Sequence, residues 1–204
     1  MPSYITKGLA KATAVAFRLK KQKAKICMDI RTMSRCALMT AVIAVLAPIS
    51  IPLTTMVPIS LATLAVMLAG VVLGPGEGVL CTALYLLLGA IGVPVFAGYA
   101  GGIGVLAGVS GGFLIGYLPL AYFSGRFSVN DEHPLSSMVL GMITGTAVLY
   151  LIGTVWFLLL TKLSLSAALA ACVLPFLGGD ALKILAVCMI GPRVRAAVQP
   201  SGNR

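Results

Sequence analysis

The sequence predicts an all-α membrane protein, a bundle of about six transmembrane helices with both termini on the cytoplasmic side. Three observations carry this expectation. The 204 residues are 59% hydrophobic and only 10% charged. Apolar residues run on without interruption, in stretches near the roughly 20 that a helix needs to cross a bilayer core, and they lack the alternation of barrel strands. The net charge is +10, but nine of the fifteen Lys and Arg residues lie within residues 7–35, up to the start of the first apolar run. A polybasic segment beside a membrane stays on the cytoplasmic face and attracts anionic headgroups. It has neither the interleaved aromatics nor the module of a nucleic-acid binder, so no nucleic-acid partner is expected.

Residues 1–32 are read as a basic cytoplasmic tail, residues 33–195 as a single six-helix membrane domain and residues 196–204 as a cytoplasmic C-terminal tail. Residues 1–30 show no apolar core followed by a small-residue cleavage site, so the tail is expected to stay on the mature chain. Met28 and Met33 are alternative starts.

Span 1 covers residues 33–47 and is stopped by Pro48 and Pro52, with Pro58 closing the loop; two prolines four apart preclude a regular helix there. Span 2 covers residues 59–73. Gly74-Pro75-Gly76-Glu77-Gly78 reads as a tight turn into span 3, residues 79–91. Residues 92–112 carry Gly92, Gly98, Gly101, Gly102, Gly104, Gly108, Gly111 and Gly112 and no charge. Glycine this dense costs up to about 1 kcal/mol per residue in a helix, which predicts an ordered or re-entrant loop. Such backbone is tolerated at membrane depth only where protein buries it or it lines a cavity. Span 4 follows at residues 113–123. A polar loop over residues 125–134 leads to span 5, residues 138–160. Span 6 is expected over residues 170–190, ending at Gly191-Pro192. With an even number of spans, thirteen cations fall on the cytoplasmic side and only Lys162 on the outer one.

Asp180 and Lys183 lie inside the last apolar run, whereas the other long runs carry no ionised side chain. Burying one charge in a bilayer costs at least about 2.5 kcal/mol, so an intramembrane ionisable pair marks a substrate, ion or proton site. A spacing of three puts both on one helix face. The alternative is a structural pair that only satisfies itself.

Cys27, Cys36, Cys81, Cys172 and Cys188 have no CxxC spacing and read as small buried hydrophobes, so neither metal nor cofactor is expected. Gly108-Val109-Ser110-Gly111-Gly112 matches the Gly-x-Ser-x-Gly pattern of serine hydrolases. A serine nucleophile needs a base, however, and the single histidine, His133, falls in the opposite loop beside Asp131 and Glu132. No enzyme activity is expected, and an intramembrane serine hydrolase is the least favoured reading.

Three blocks carry a family resemblance: Pro58-Ile59-Ser60-Leu61-Ala62-Thr63-Leu64-Ala65-Val66; Tyr85 to Gly98, ending in Pro94-Val95-Phe96-Ala97-Gly98, and on through Gly101-Gly102-Ile103-Gly104; and Leu174-Pro175-Phe176-Leu177-Gly178-Gly179-Asp180-Ala181-Leu182-Lys183. Over residues 33–193 the chain resembles the BioY family, the biotin-binding S components of energy-coupling-factor (ECF) transporters. The resemblance implies the S-component bundle of six helices in a bacterial plasma membrane. Its outward-facing biotin pocket would be built by the loops after helices 1 and 3 and by helices 4 to 6. Two departures stand out. Ala62 replaces an expected glutamine, and Gly98-Tyr99-Ala100-Gly101-Gly102 replaces a Gly-Gly-Ser-Gly-Gly pattern, so an S component for another small vitamin is the alternative.

The resemblance makes Asp180 and Lys183 ligand-binding residues. Asp180 would accept from the ureido N–H groups of biotin, and Lys183 would either meet the valerate carboxylate or pair with Asp180. Gly98, Gly101 and Gly102 would bring backbone N–H groups to the ligand, with Tyr99 reshaping that lid. Phe96, Tyr99 and Trp156 are candidate apolar walls and Tyr85 a candidate hydroxyl contact, each with bundle packing as its alternative. Ala37 and Ala41 fit the Ala-x-x-x-Ala stripe that S components present to a transmembrane coupling subunit. The chain has no phosphate-binding Gly-x-x-x-x-Gly-Lys-Ser/Thr loop, so ATP hydrolysis would fall to two partner ATPase subunits. Solitary family members are credited with uptake alone, where a homo-oligomer is the expected assembly.

Overall fold

A computed structural model describes residues 30–51, 58–128 and 134–198. Much of the basic tail with Cys27, the loop around Pro52, the segment holding His133 and the last six residues lie outside the described residues. The helices are α1 (Ile30–Leu46), α2 (Ala62–Leu73), α3 (Pro75–Ala90), α4 (Ile103–Ala107), α5 (Gly111–Phe127), α6 (Pro134–Thr161), α7 (Leu165–Cys172) and α8 (Leu174–Val198). Two short strands, β1 (Ser50–Ile51) and β2 (Ile59–Ser60), pair antiparallel with Ser50 opposite Ser60. Chain contacts divide the molecule into Met1–Ser34 and Arg35–Arg204, and everything below concerns the second unit.

The expected helical bundle is present, with corrections at its joints. The turn predicted over residues 74–78 contracts to Gly74 alone, at φ 90°, a conformation that favours a residue without Cβ. Pro75 then opens α3, because a proline in the first turn forfeits no helical hydrogen bond. Span 6 is two helices broken at Val173 (φ −120°, ψ −55°). Pro175 accounts for the break, since inside a continuous helix its ring would clash with the carbonyl four residues back. The predicted stop at Gly191-Pro192 is also overturned: α8 runs through Pro192 to Val198, and the Arg193 guanidinium donates to the Met189 carbonyl at 2.9 Å beside the proline. The strand pair β1–β2 is a further departure from an all-helical reading.

The glycine-rich segment is an ordered loop, as its composition predicts. A 3-10 turn at Ala97–Tyr99 is closed by a bridge between Phe96 and Ala100 and followed by the short α4.

Helix α2 is apolar on every side, and ten of its twelve residues are buried, the pattern of a core helix. It packs against α3, α5 and α8, while the largest helix interface joins α5 to α6. The close approach of α2 to α5 runs through Gly70, where an added Cβ would lie 2.4 Å from the Ala121 carbonyl oxygen. Small residues allow such backbone contact between membrane helices. The outer faces of α6 and α8 expose Leu140, Ile143, Leu151, Val155, Leu182, Leu185 and Met189, a surface suited to lipid rather than water. By length and hydropathy Leu135–Thr161 is able to cross a membrane, as is the segment Leu165–Val198 that α7 and α8 make up together.

Gly70→Val is expected to destabilise the bundle by about 3 kcal/mol or more through overpacking. Gly76→Ala, where nothing lies within 4 Å, should leave stability at or above the wild-type level. Thermal unfolding in detergent followed by circular dichroism checks both.

Candidate functional site

The break at Val173 and Pro175 sets where α8 begins, and its second and third turns carry Asp180 and Lys183. Both are buried, at 4% and 7% exposure. Lys183 Nζ lies 3.0 Å from Asp180 Oδ1. Two further helices complete the cluster. Thr63, in the first turn of α2, donates to Asp180 Oδ1 at 3.2 Å and accepts from Lys183 Nζ at 2.8 Å. Tyr150 of α6 donates its phenolic proton to Asp180 Oδ2 at 2.5 Å. The carboxylate thus accepts three bonds, and the pair is neutral as a unit. That is how a bundle tolerates ions whose separate burial would cost several kcal/mol each.

Beside the pair lies a cavity of about 30 Å³ bounded by Pro58, Ser60, Thr63, Phe113, Tyr117, Leu149, Tyr150, Phe176, Asp180 and Lys183. Ser60 and Tyr117 both present hydroxyls on its wall. Hydroxyls, a carboxylate and an ammonium therefore converge within apolar walls, the composition of a small-molecule site. On the far side of Tyr150 and Asp180, a groove of about 500 Å³ opens between α6 and α8, with Val139, Ile143, Ala147, Leu177, Ala181 and Leu185 in its walls. The smaller cavity is the candidate site despite its size, because the groove reaches neither Thr63 nor Lys183.

Other residues singled out from the sequence fall elsewhere. Tyr85 and Phe96 are packed edge to face at 5.6 Å in the interior, and the Tyr85 hydroxyl has no hydrogen-bond partner among the described residues. Trp156 is half-buried, and its Nε1–H donates to the Gly108 carbonyl at 3.0 Å, tying α6 to the glycine-rich loop. Gly98 donates to the Pro48 carbonyl at 3.1 Å and Gly102 to that of Gly89 at 2.7 Å. Gly101 sits against the Val93 carbonyl, 2.5 Å from where its Cβ would be. Tyr99 is 70% exposed. Ala62 is buried in the first turn of α2, one residue before Thr63. Ala37 and Ala41 lie on the exposed face of α1. Ser110 precedes α5 at its N-cap.

Sequence reasoning missed Thr63, Tyr150, Tyr117 and Ser60. Thr63 and Ser60 fall inside a block that carried the family resemblance, whereas nothing local distinguishes Tyr150 or Tyr117 from any tyrosine in an apolar helix. Among the described residues no cluster of His, Cys, Asp and Glu is arranged to hold a metal ion. Cys36, Cys81 and Cys172 are buried free thiols and Cys188 is half-buried.

Fold and site together define a helical membrane protein with a neutralised ion pair beside a small internal cavity. A family model described as the BioY family matches residues 18–200. The chain belongs to the BioY family. It is 37% identical over 155 residues to biotin transporter BioY2 of Lactococcus lactis subsp. cremoris, covering 76% of this chain and 85% of that one. It is 36% identical over 163 residues to biotin transporter BioY of Rhodobacter capsulatus, covering 74% and 85%. A crystal structure of the S-component for biotin from an ECF-type ABC transporter superposes with a TM-score of 0.74 at 29% identity, over 86% of this chain and 93% of that one.

Lys183→Met strands the Asp180 carboxylate without its cation and is expected to cost about 3–5 kcal/mol. Asp180→Leu combined with Lys183→Met should recover a large part of that loss, because the two groups are coupled. A thermal-shift double-mutant cycle in detergent reads the difference.

Proposed function

We propose that this protein binds biotin and carries it across the bacterial plasma membrane, as the S component of an ECF-type transporter or as a solitary transporter. The observation that carries this reading is the buried Asp180–Lys183 pair beside a small cavity, in a chain of the BioY family. A ureido group offers two N–H donors and one carbonyl acceptor. Asp180 supplies the acceptors for the N–H groups. Two of the three Lys183 protons go to Thr63 and Asp180, which leaves a third for a ligand oxygen. Pairing and ligand contact are therefore compatible. The aromatic rings of Phe113, Tyr117 and Phe176 suit the apolar thioether ring.

In this reading residues 33–195 form the membrane domain, both termini are cytoplasmic and the site opens outward. The glycine-rich loop then covers the outer end: the Gly98 bond to Pro48 ties it to the loop that carries Ser60 into the cavity wall. Gly98, Tyr99, Gly101 and Gly102 act through that cover, with Tyr85, Phe96 and Trp156 holding its base. Helix α1 presents Ala37 and Ala41 outward on the same exposed face as Leu38 and Val45, a small-residue stripe that a helix of a transmembrane coupling subunit can approach closely. Two ATPase subunits would complete that assembly.

Purified protein in detergent is expected to bind tritiated biotin at submicromolar concentration, and Asp180→Ala to abolish most of that binding without loss of helical content. Wild-type affinity in Asp180→Ala, or thermal stabilisation by another vitamin but not by biotin, overturns the assignment. Ala37→Leu should preserve biotin binding and weaken copurification with the coupling subunit; unchanged copurification removes α1 from that interface.

A further inference from the structure

A cavity of about 30 Å³ is roughly a tenth of the smallest usual ligand pocket, about 300 Å³, too little for the fused rings of biotin. Some wall has to move. Leu149 is fully enclosed, and Phe113, Tyr117 and Phe176 are buried among neighbouring side chains. Among the described residues only Tyr150 and Asp180 border both this cavity and the 500 Å³ groove between α6 and α8. Asp180 is held by three hydrogen bonds, from Thr63, Lys183 and Tyr150. The Tyr150 hydroxyl is anchored by one, and empty space lies behind its ring.

We propose that Tyr150 is the movable wall of the site: on ligand entry its ring turns away from Asp180 into the α6–α8 groove, enlarging the cavity and freeing Asp180 Oδ2 for the ligand. This rests on the biotin reading above and goes beyond it. Two staggered χ1 states are open to a long side chain on a helix, and both lean toward the preceding turn. On that turn, three residues back on the same face, lies Ala147, an exposed residue of the groove that does not touch the cavity. A small residue there leaves room for the ring. The hydroxyl bond to Asp180 then acts as a latch, occupying in the empty site an acceptor that a ureido N–H later takes. Tyr150 is accordingly a positioning residue, and its role shows in the rate of ligand entry.

The test is the association rate of tritiated biotin with purified protein, by rapid filtration. Tyr150→Phe has no latch to release, and its association is expected to rise by about tenfold, the scale of one hydrogen bond to a charged group. Ala147→Phe fills the space the ring needs and is expected to slow association by about tenfold or more. Leu151→Phe, on the exposed face of the same helix, should leave the rate unchanged. Should Ala147→Phe fail to assemble, Ala181→Phe fills the groove from the facing wall with the same expectation. An unchanged or slower rate in Tyr150→Phe, or a wild-type rate with the groove filled, overturns the inference while the biotin reading stands. Failure of the wild-type protein to bind biotin overturns both.

Discussion

The geometry of the site depends on the ion pair between Asp180 and Lys183. Neither side chain could be left alone at membrane depth, and each is held in place by what neutralises the other. Thr63 serves both, giving its proton to the carboxylate and taking one from the ammonium. That three-way contact fixes α8 against the start of α2, and α2 in turn fixes α3 and α5 through backbone contacts at Gly70 and Gly78. The electrostatic requirement of one helix is thereby transmitted to the packing of the others. A self-satisfying pair and a ligand site are not opposed here, because the pair leaves acceptor and donor capacity facing the cavity.

The helical content and the approximate place of each span were legible because long apolar runs and proline punctuation are properties of single segments. The ion pair was legible for the same reason: a charge inside an apolar run is visible without knowing its neighbours. Joints were harder. Pro75 reads as part of a turn and Pro192 as a stop, yet one opens a helix and the other sits inside one. What differs is whether nearby groups re-satisfy the backbone, and that is decided in three dimensions. Tyr150 and Thr63 were illegible as partners of Asp180 because they lie 30 and 117 positions away. Tyr85 and Phe96 stand out in sequence, but their packing against each other depends on how the glycine-rich loop folds back.

Packing is unequal around the bundle. Helices α5 and α6 share the largest interface, with Gly112 and Gly116 of α5 pressed against Trp156 and Leu149. Helices α6 and α8 touch far less and leave the apolar groove between them. Asp180 borders that groove beside Tyr150, whose phenol bonds the carboxylate.

The twelve residues of α2 span roughly 18 Å at the usual rise per residue, well short of the roughly 30 Å hydrocarbon layer. In the transport reading proposed above, the remaining depth lies on its N-terminal side, where the described chain is non-helical and forms the strand pair β1–β2. In that reading an abbreviated central helix leaves a recess below the membrane surface without any helix having to unwind. Lengthening that helix by even two turns would plug the recess with backbone, which makes its shortness a determinant of capacity as much as of stability.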